Sequence, residues 1–257
     1  MPSSRSIGLL SIVAIVVLAV GGLAFLLSRD GGDSGSSATP TRGASGTPTL
    51  APETAADALS AAADRWDATD TAHFALTIDG QAFIDDERTI ELRAAEGDIA
   101  RPDLVEAQAT IAVSLVTFNL GIIAVGDTMY QTNLVTGRWE RAPDDFGYNP
   151  AVLFSPTEGI GAVARRVQNA EFAGSEVVGG RATRIVTGVL TGDDVSTITA
   201  GALEGDIVQT KVWVADDNSD IVKVELRSEP AAGNTPTTWT LLATNQNQPV
   251  TIEEPQV

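Results

Sequence analysis

Residues 7–27 form one apolar run without a charged side chain, followed by a Gly/Ser/Thr/Pro tract and then by a chain patterned like a folded domain. At about 1.5 Å per residue the run reaches roughly 30 Å as a helix, the thickness of a bilayer's hydrocarbon core. That order predicts a protein working at a membrane surface. The alternative is a secretory signal that is removed, but signal cores hold about 7 to 15 apolar residues and end at a small-x-small site. Here the run closes on Phe25, Leu26 and Leu27 before Ser28 and Arg29, with no good A-x-A at the right distance. An uncleaved anchor is favoured. Arg5 on one flank, against Arg29 with Asp30 and Asp33 on the other, gives a weak bias in orientation. The expected organisation is a short cytoplasmic segment 1–6, a transmembrane anchor 7–27, a linker 28–50 and an extracytoplasmic domain 51–257. At about 5 to 6 Å times the square root of its length, the linker spans on the order of 25 Å. The domain can then touch the membrane or swing clear of it.

The net charge is −18 and the lysines are Lys211 and Lys223. A chain this acidic is repelled by phosphate backbones and by anionic headgroups, which excludes nucleic acid as a partner. It contains no cysteine, so disulfides, thiolate metal sites and an acylated lipobox cysteine are all excluded. With 43% hydrophobic residues, the part beyond the linker is long enough for one domain with a substantial core, expected to be monomeric.

Thr54-Ala-Ala-Asp57 resembles a capping box, and Leu59, Ala62, Ala63 and Trp66 follow at helical spacing, which predicts a first helix. From Thr71 the period becomes two, with Phe74, Leu76 and Ile78 on one face and His73, Thr77 and Asp79 on the other. Further strands are predicted at 88–95, 106–116, 117–125, 128–134, 181–190, 209–215, 221–227 and 237–244. Most intervening turns are too short for crossover helices, so the sheet is expected to be antiparallel. Helix signals interrupt it at 156–167, with Ile160, Val163 and Val167 on one face, and at 195–203. The fold class is α+β, a long antiparallel sheet with helices on one side.

Chemistry is sparse. His73, the sole histidine, sits in a strand with no serine or cysteine motif to pair with. Asp216-Asp-Asn218-Ser-Asp220 matches the first half of a calcium loop, but Ile221 stands where the turn glycine belongs and Arg227 where the bidentate glutamate belongs. It reads as a hairpin turn, as does Gly179-Gly180. Asp85-Asp86-Glu87 and Asp144-Asp145 fall between strands as solvated acids. No active site, cofactor site or metal site can be assembled. What stands out is apolar excess in the sheet. Ile111, Val113 and Leu115, then Phe118, Leu120 and Ile122, line one face, while Ala112, Val116, Ile123 and Val125 make the other apolar too. Such a sheet needs cover on both faces. Either one face is ordinary core, or the sheet and helices enclose an apolar cavity, and periodicity does not choose.

Several segments together resemble the bacterial LppX/LprAFG lipoprotein family. They are Asp127-Thr-Met-Tyr130, Trp139, Asn149-Pro-Ala-Val-Leu-Phe-Ser-Pro156-Thr-Glu-Gly159-Ile160, Gly180-Arg-Ala-Thr183-Arg-Ile185-Val-Thr-Gly188, and Ala72 to Gly80 after the first helix. The resemblance implies a LolA-like half-barrel: an unclosed, curved antiparallel sheet wrapped on helices around a cavity for the acyl chains of lipids or lipoglycans. It implies a non-enzymatic carrier or presenter of an acylated lipid or glycolipid ligand, with an envelope transport partner as a further expectation. Carried onto this chain, Phe74, Leu76, Ile78, Ile111, Val113, Leu115, Phe118, Leu120 and Ile122 would line the cavity, and Val152, Leu153, Ile160 and Val163 would close it. Family members are held by an acylated cysteine, which this chain lacks, so a tethered acceptor is expected rather than a freely diffusing carrier. The competing reading is a sensor or interaction module, since LolA-like domains also serve in envelope-stress regulation.

Overall fold

The computed structural model describes residues 54–85, 87–143, 148–203, 205, 207–228 and 235–257. The anchor 7–27, the linker 28–50 and the acidic pair Asp144-Asp145 lie outside these residues. No helix among the described residues is long and apolar enough to cross a membrane.

The first helix, α1 (Ala55–Asp67), starts on the capping box expected from Thr54 and Asp57. The Thr54 hydroxyl accepts from the Asp57 amide at 3.1 Å, and the Asp57 carboxylate accepts from the Thr54 amide at 3.1 Å. Its buried stripe, Ala55, Ala58, Leu59, Ala62, Ala63 and Trp66, is mostly alanine, which lets the helix lie close to the layer beneath.

The strands are β1 (Thr71–Asp79), β2 (Ile90–Ala100), β3 (Leu104–Val113), β4 (Val116–Val125), β5 (Thr128–Thr132), β6 (Trp139–Arg141), β7 (Gln168–Val178), β8 (Arg181–Leu190), β9 (Val208–Ala215), β10 (Ile221–Ser228) and β11 (Thr238–Thr244). They form one 11-stranded antiparallel sheet in the order β6-β5-β4-β3-β2-β1-β11-β10-β9-β8-β7. The sheet is thus two meanders joined at a seam where β1 pairs with β11. Among the described residues β6 and β7 are open edges, so the sheet does not close on itself. Two connections carry helices. A 3-10 turn (Pro150–Phe154) and α2 (Ile160–Arg166) lie between β6 and β7, and α3 (Gly192–Ser196) lies between β8 and β9.

The structure corrects the sequence reading at several places. The helix expected over 156–167 begins only at Ile160, because the Asn149 side chain accepts from the Ala151 amide at 2.9 Å and opens the separate 3-10 turn at Pro150. The helix expected over 195–203 is earlier and shorter, since a second capping box between Thr191 and Asp194 starts α3 at Gly192. Leu115 is not in a strand. It sits with Ser114, whose φ is 57°, in the turn between β3 and β4, and is fully exposed. Strand β6 was not expected, and β7 was implied only as the arm before the Gly179-Gly180 turn, with no bounds of its own. By contrast, Gly179 and Gly180 form a tight turn at φ 59° and 83°, and 216–220 joins β9 to β10, as hairpin readings of those segments required.

The half of the sheet from β8 to β11 carries the dense part of the core. Val186, Val208, Val212, Val214 and Ile221 are each at most 1% exposed. Helix α1 lies against β7, β9 and β10 and packs on α2, and Arg165 of α2 reaches Asp64 and Asp67 of α1 at 2.6 and 2.8 Å. A second tie runs through Asp220, 5% exposed at the start of β10. It accepts from Arg65 at 2.8 Å, Arg181 at 2.9 Å and Asn218 at 2.8 Å. Burial alone would raise the Asp220 pKa, but the bonds from Arg65, Asn218 and Arg181 outweigh it and hold the carboxyl below its ordinary range.

Candidate functional site

The inner face of the sheet encloses an apolar cavity of about 110 Å³. Its wall alternates along the strands as period two requires: Phe74 and Leu76 on β1, Leu92 and Ala95 on β2, Ala107, Ala109 and Ile111 on β3, Leu120 and Ile122 on β4, Val224 and Leu226 on β10, and Trp239 and Leu241 on β11. Small residues make the space. Ala95, Ala107 and Ala109 stand in the middle of the wall, and Gly97 stands opposite both Phe74 and Ala107. A Cβ on Gly97 would lie 2.2 Å from the Glu106 carbonyl oxygen, so β2 and β3 approach too closely there for any side chain.

The cover is built from the two connections. Tyr148, Pro150, Leu153 and Ile160 come from the segment between β6 and β7, and Ile198, Thr199 and Ala200 come from the segment after α3. The Tyr148 hydroxyl donates to the Ile198 carbonyl at 3.0 Å and clasps the two together. Burial pushes the Tyr148 phenol well above its ordinary pKa, so it remains a donor at any physiological pH. The 3-10 turn is pinned from behind. The Trp66 indole donates to the Leu153 carbonyl at 3.0 Å and meets the Phe154 ring edge-on with centroids 5.1 Å apart. Arg101 donates to the carbonyls of Phe154, Thr69 and Trp66 at 2.6, 2.7 and 3.1 Å, with its guanidinium over the Phe154 ring. Gly159 completes the motif because a Cβ there would sit 2.5 Å from the Leu153 carbonyl oxygen.

Of the positions expected to line a cavity, the structure brings Phe74, Leu76, Ile111, Leu120, Ile122, Leu153 and Ile160 together around this one. Ile78 and Phe118 pack beside it on the two apolar clusters, and Val163 is buried in the larger cluster. Val113 and Val152 are half-buried away from the wall, and Leu115 faces solvent. Sequence reasoning missed the contribution of β10 and β11. Val224 with Leu226, and Trp239 with Leu241, are i,i+2 pairs that mark the inner face once the seam is known. Nothing in the local pattern marks Tyr148 or Ile198–Ala200. His73 lies on the outer face, its ring nitrogen 2.9 Å from Asp98. The described residues contain no cluster of His, Cys, Asp and Glu suited to a metal ion.

An open antiparallel sheet laid over short helices around an apolar cavity defines a hydrophobic-cavity protein. Its sequence places it more narrowly: the chain belongs to the LppX_LprAFG lipoprotein family, whose profile matches residues 54–252. It is 26% identical to lipoprotein LprA of Mycobacterium tuberculosis over 254 residues, covering 95% of this chain and 94% of that one. It is 23% identical over 184 residues to the lipoarabinomannan carrier protein LprG of Mycobacteroides abscessus, covering 71% of this chain and 76% of the relative. Among solved structures, LprF of Mycobacterium bovis superposes with a TM-score of 0.63 at 19% identity, covering 78% of this chain and 96% of LprF. LppX of Mycobacterium tuberculosis does so with 0.56 at 17% identity, covering 77% and 98%. These two likenesses show a shared fold.

Proposed function

We propose that this protein binds the acyl part of a lipid or lipoglycan in the inner cavity and carries or presents it at the outer face of the cytoplasmic membrane. The observation that carries this reading is the cavity, walled by apolar side chains from both meanders and covered by two clasped connections. An apolar space of this kind is stabilised by filling it with hydrocarbon. Its volume of about 110 Å³ is below the roughly 300–1,000 Å³ of pockets for drug-sized ligands. A single acyl segment suits it as it stands, and a multiply acylated amphiphile enters only if the cover lifts. Membership of a family that includes a named lipoarabinomannan carrier supports the class of ligand.

The proposal needs no reaction and no cofactor. The histidine is engaged with Asp98 on the outer face, away from the cavity. The apolar run 7–27 serves in this reading as a single-pass tether in place of an acylated cysteine. The test is mass spectrometry of an organic extract from the purified full chain. Acylated lipid at a fixed molar ratio to protein is expected, and it should be lost on enlarging Leu120. An extract free of lipid, together with no uptake of a fluorescent fatty acid by the stripped protein, overturns the proposal.

A further inference from the structure

The turn between β3 and β4 puts an apolar side chain where the fold has no use for one. Ser114, at φ 57°, and Leu115 make the reversal, where Gly, Asn, Asp or Ser are the ordinary choices, and Leu115 stands wholly in solvent. It does not stand alone. Val116 beside it is 38% exposed, and Val135, in the turn between β5 and β6, is 72% exposed. In an antiparallel sheet those two turns fall at the same end. These strands bring that end no charge. Between Glu106 and Arg138 the sole charged residue is Asp127, in a chain of which 19% is charged, and Asp127 lies in the turn between β4 and β5 at the opposite end. Charge returns on the neighbouring β1–β2 connection with Asp85, Glu87 and Arg88, which border the patch. Of these, Asp85 is turned back to accept from the amides of Thr89 and Ile90.

The apolar surface continues from the tip to the cavity. Ile111 and Leu120 of the cavity wall are buried, and Phe118, which pairs with Ile111, packs on them while half-exposed. Ile90 packs on the same cluster and pairs with Val113, which in turn pairs with Val116. Exposure therefore rises along one inner-facing track from the wall to Leu115, at most about 13 Å from Ile111 at strand spacing. From these observations we propose that the β3–β4 tip, with the β5–β6 turn beside it, dips into a lipid bilayer, and that the track behind it is the way by which an acyl chain reaches the cavity. This rests on the cavity reading above and names where the ligand enters. The occupant is a bilayer rather than a second copy or a protein partner for two reasons. In that reading the linker 28–50 keeps the domain within on the order of 25 Å of the membrane, so a bilayer is the surface always at hand. Charged side chains resist leaving water, so on a chain of net charge −18 the uncharged end is the one a bilayer accepts.

The chain has no cysteine, so single cysteines can be labelled cleanly. Leu115→Cys, Val135→Cys and, as a reference at the other end of the sheet, Asp127→Cys each carry a nitroxide in the full chain reconstituted in phosphatidylcholine vesicles. Collision rates with oxygen and with a water-soluble nickel chelate report depth. The labels at 115 and 135 should lie in hydrocarbon and the label at 127 in water. Separately, the parent and Leu115→Asp receive a fluorescent fatty acid either from vesicles or directly from solution. Uptake from vesicles should slow by about tenfold or more, the loss expected when one leucine no longer enters hydrocarbon. Binding from solution should be unchanged, because Leu115 lies outside the cavity wall. Labels at 115 and 135 that stay in water, or uptake from vesicles that ignores Leu115→Asp, overturn the inference and leave the cavity reading standing. Spin–spin broadening between labels at 115 assigns the tip to a second copy and overturns it as well. If the parent takes up no fatty acid by either route, the cavity reading and the entry track fall together, and the nitroxide depths still decide whether the tip meets a bilayer.

Discussion

The two halves of the inner face solve the same problem differently. Behind β8 to β10 the sheet is met by two helices packed on each other, and valines fill the space until Val208, Val212 and Val214 are all but sealed. Over β3 and β4 the cover is a five-residue 3-10 turn and its flanks, the wall is alanine in the middle, and Ile84, Leu92 and Phe118 stay partly exposed. Packing density follows the cover. Where a helix lies flat on the sheet the residues pack as core, and where the cover is short the same alternating strands enclose a space. The cavity is walled by β1 to β4 together with β11 and β10, and the close-packed core lies behind β8 to β10.

The sharpest way to break that contrast is to make one enlargement on each side. Val212→Trp should cost about 3 kcal/mol or prevent folding, because no neighbour can yield. Leu120→Trp and Ile122→Trp should lose less than about 1 kcal/mol while abolishing uptake of a fluorescent fatty acid, since the new ring occupies ligand space. Chemical unfolding and probe titration measure both. Equal destabilisation on the two sides would show that the cavity half is ordinary core.

Asp220→Asn should cost about 2 kcal/mol in the dense half by weakening bonds to Arg65 and Arg181. Because the Asp220 carboxyl is held below its ordinary value, its contribution is present above about pH 4 and disappears as the pH falls through the folded-state value. Urea midpoints from pH 6 down to pH 2 should therefore fall more steeply for the parent than for the variant. A parallel decline in the two would remove Asp220 from the account. On the cavity side, Tyr148→Phe unlinks the two covering segments at a cost of about 1 kcal/mol, and release of a bound fatty-acid probe should quicken by a few fold. Unchanged release in stopped-flow measurements would mean that the cover opens elsewhere.

The contrast between the halves also explains what the sequence disclosed. Strands with one wet and one dry face were legible, from Phe74-Leu76-Ile78 in β1 to the run 237–244 that became β11. Strand β7 was not, because nearly all of Gln168–Val178 is exposed on both faces and no alternation is written there. The two capping boxes behave differently. Thr54 and Asp57 announced α1, whereas Asp193 and Asp194 were read as preceding a helix over 195–203, and the box that Thr191 makes with Asp194 was missed because so short a helix adds no periodic stripe to fix its start. Apolar residues on the outer face of β3 and β4 now have a reason. Ile123 pairs with Tyr130, both are buried, and the Tyr130 hydroxyl meets the Glu254 carboxylate, so the tail of the chain runs over that face. The candidate site was half legible, since inward strand positions follow from alternation. Its covering residues depend on which loops fold back, and local pattern carries no trace of that.

The seam between β1 and β11 has a consequence for how this protein comes into being. Strand β1 emerges early and finds β2 at once, yet its other edge has no partner until nearly the whole chain has been made. Pairings so distant in sequence are slow to form. Through that interval the wall of the cavity is split down its middle, with Phe74 and Leu76 on one bank and Trp239 and Leu241 on the other. A chain cut short before β11 keeps most of its residues and has no vessel. For a protein of this design, arrival of the last strand is the moment at which a container first exists.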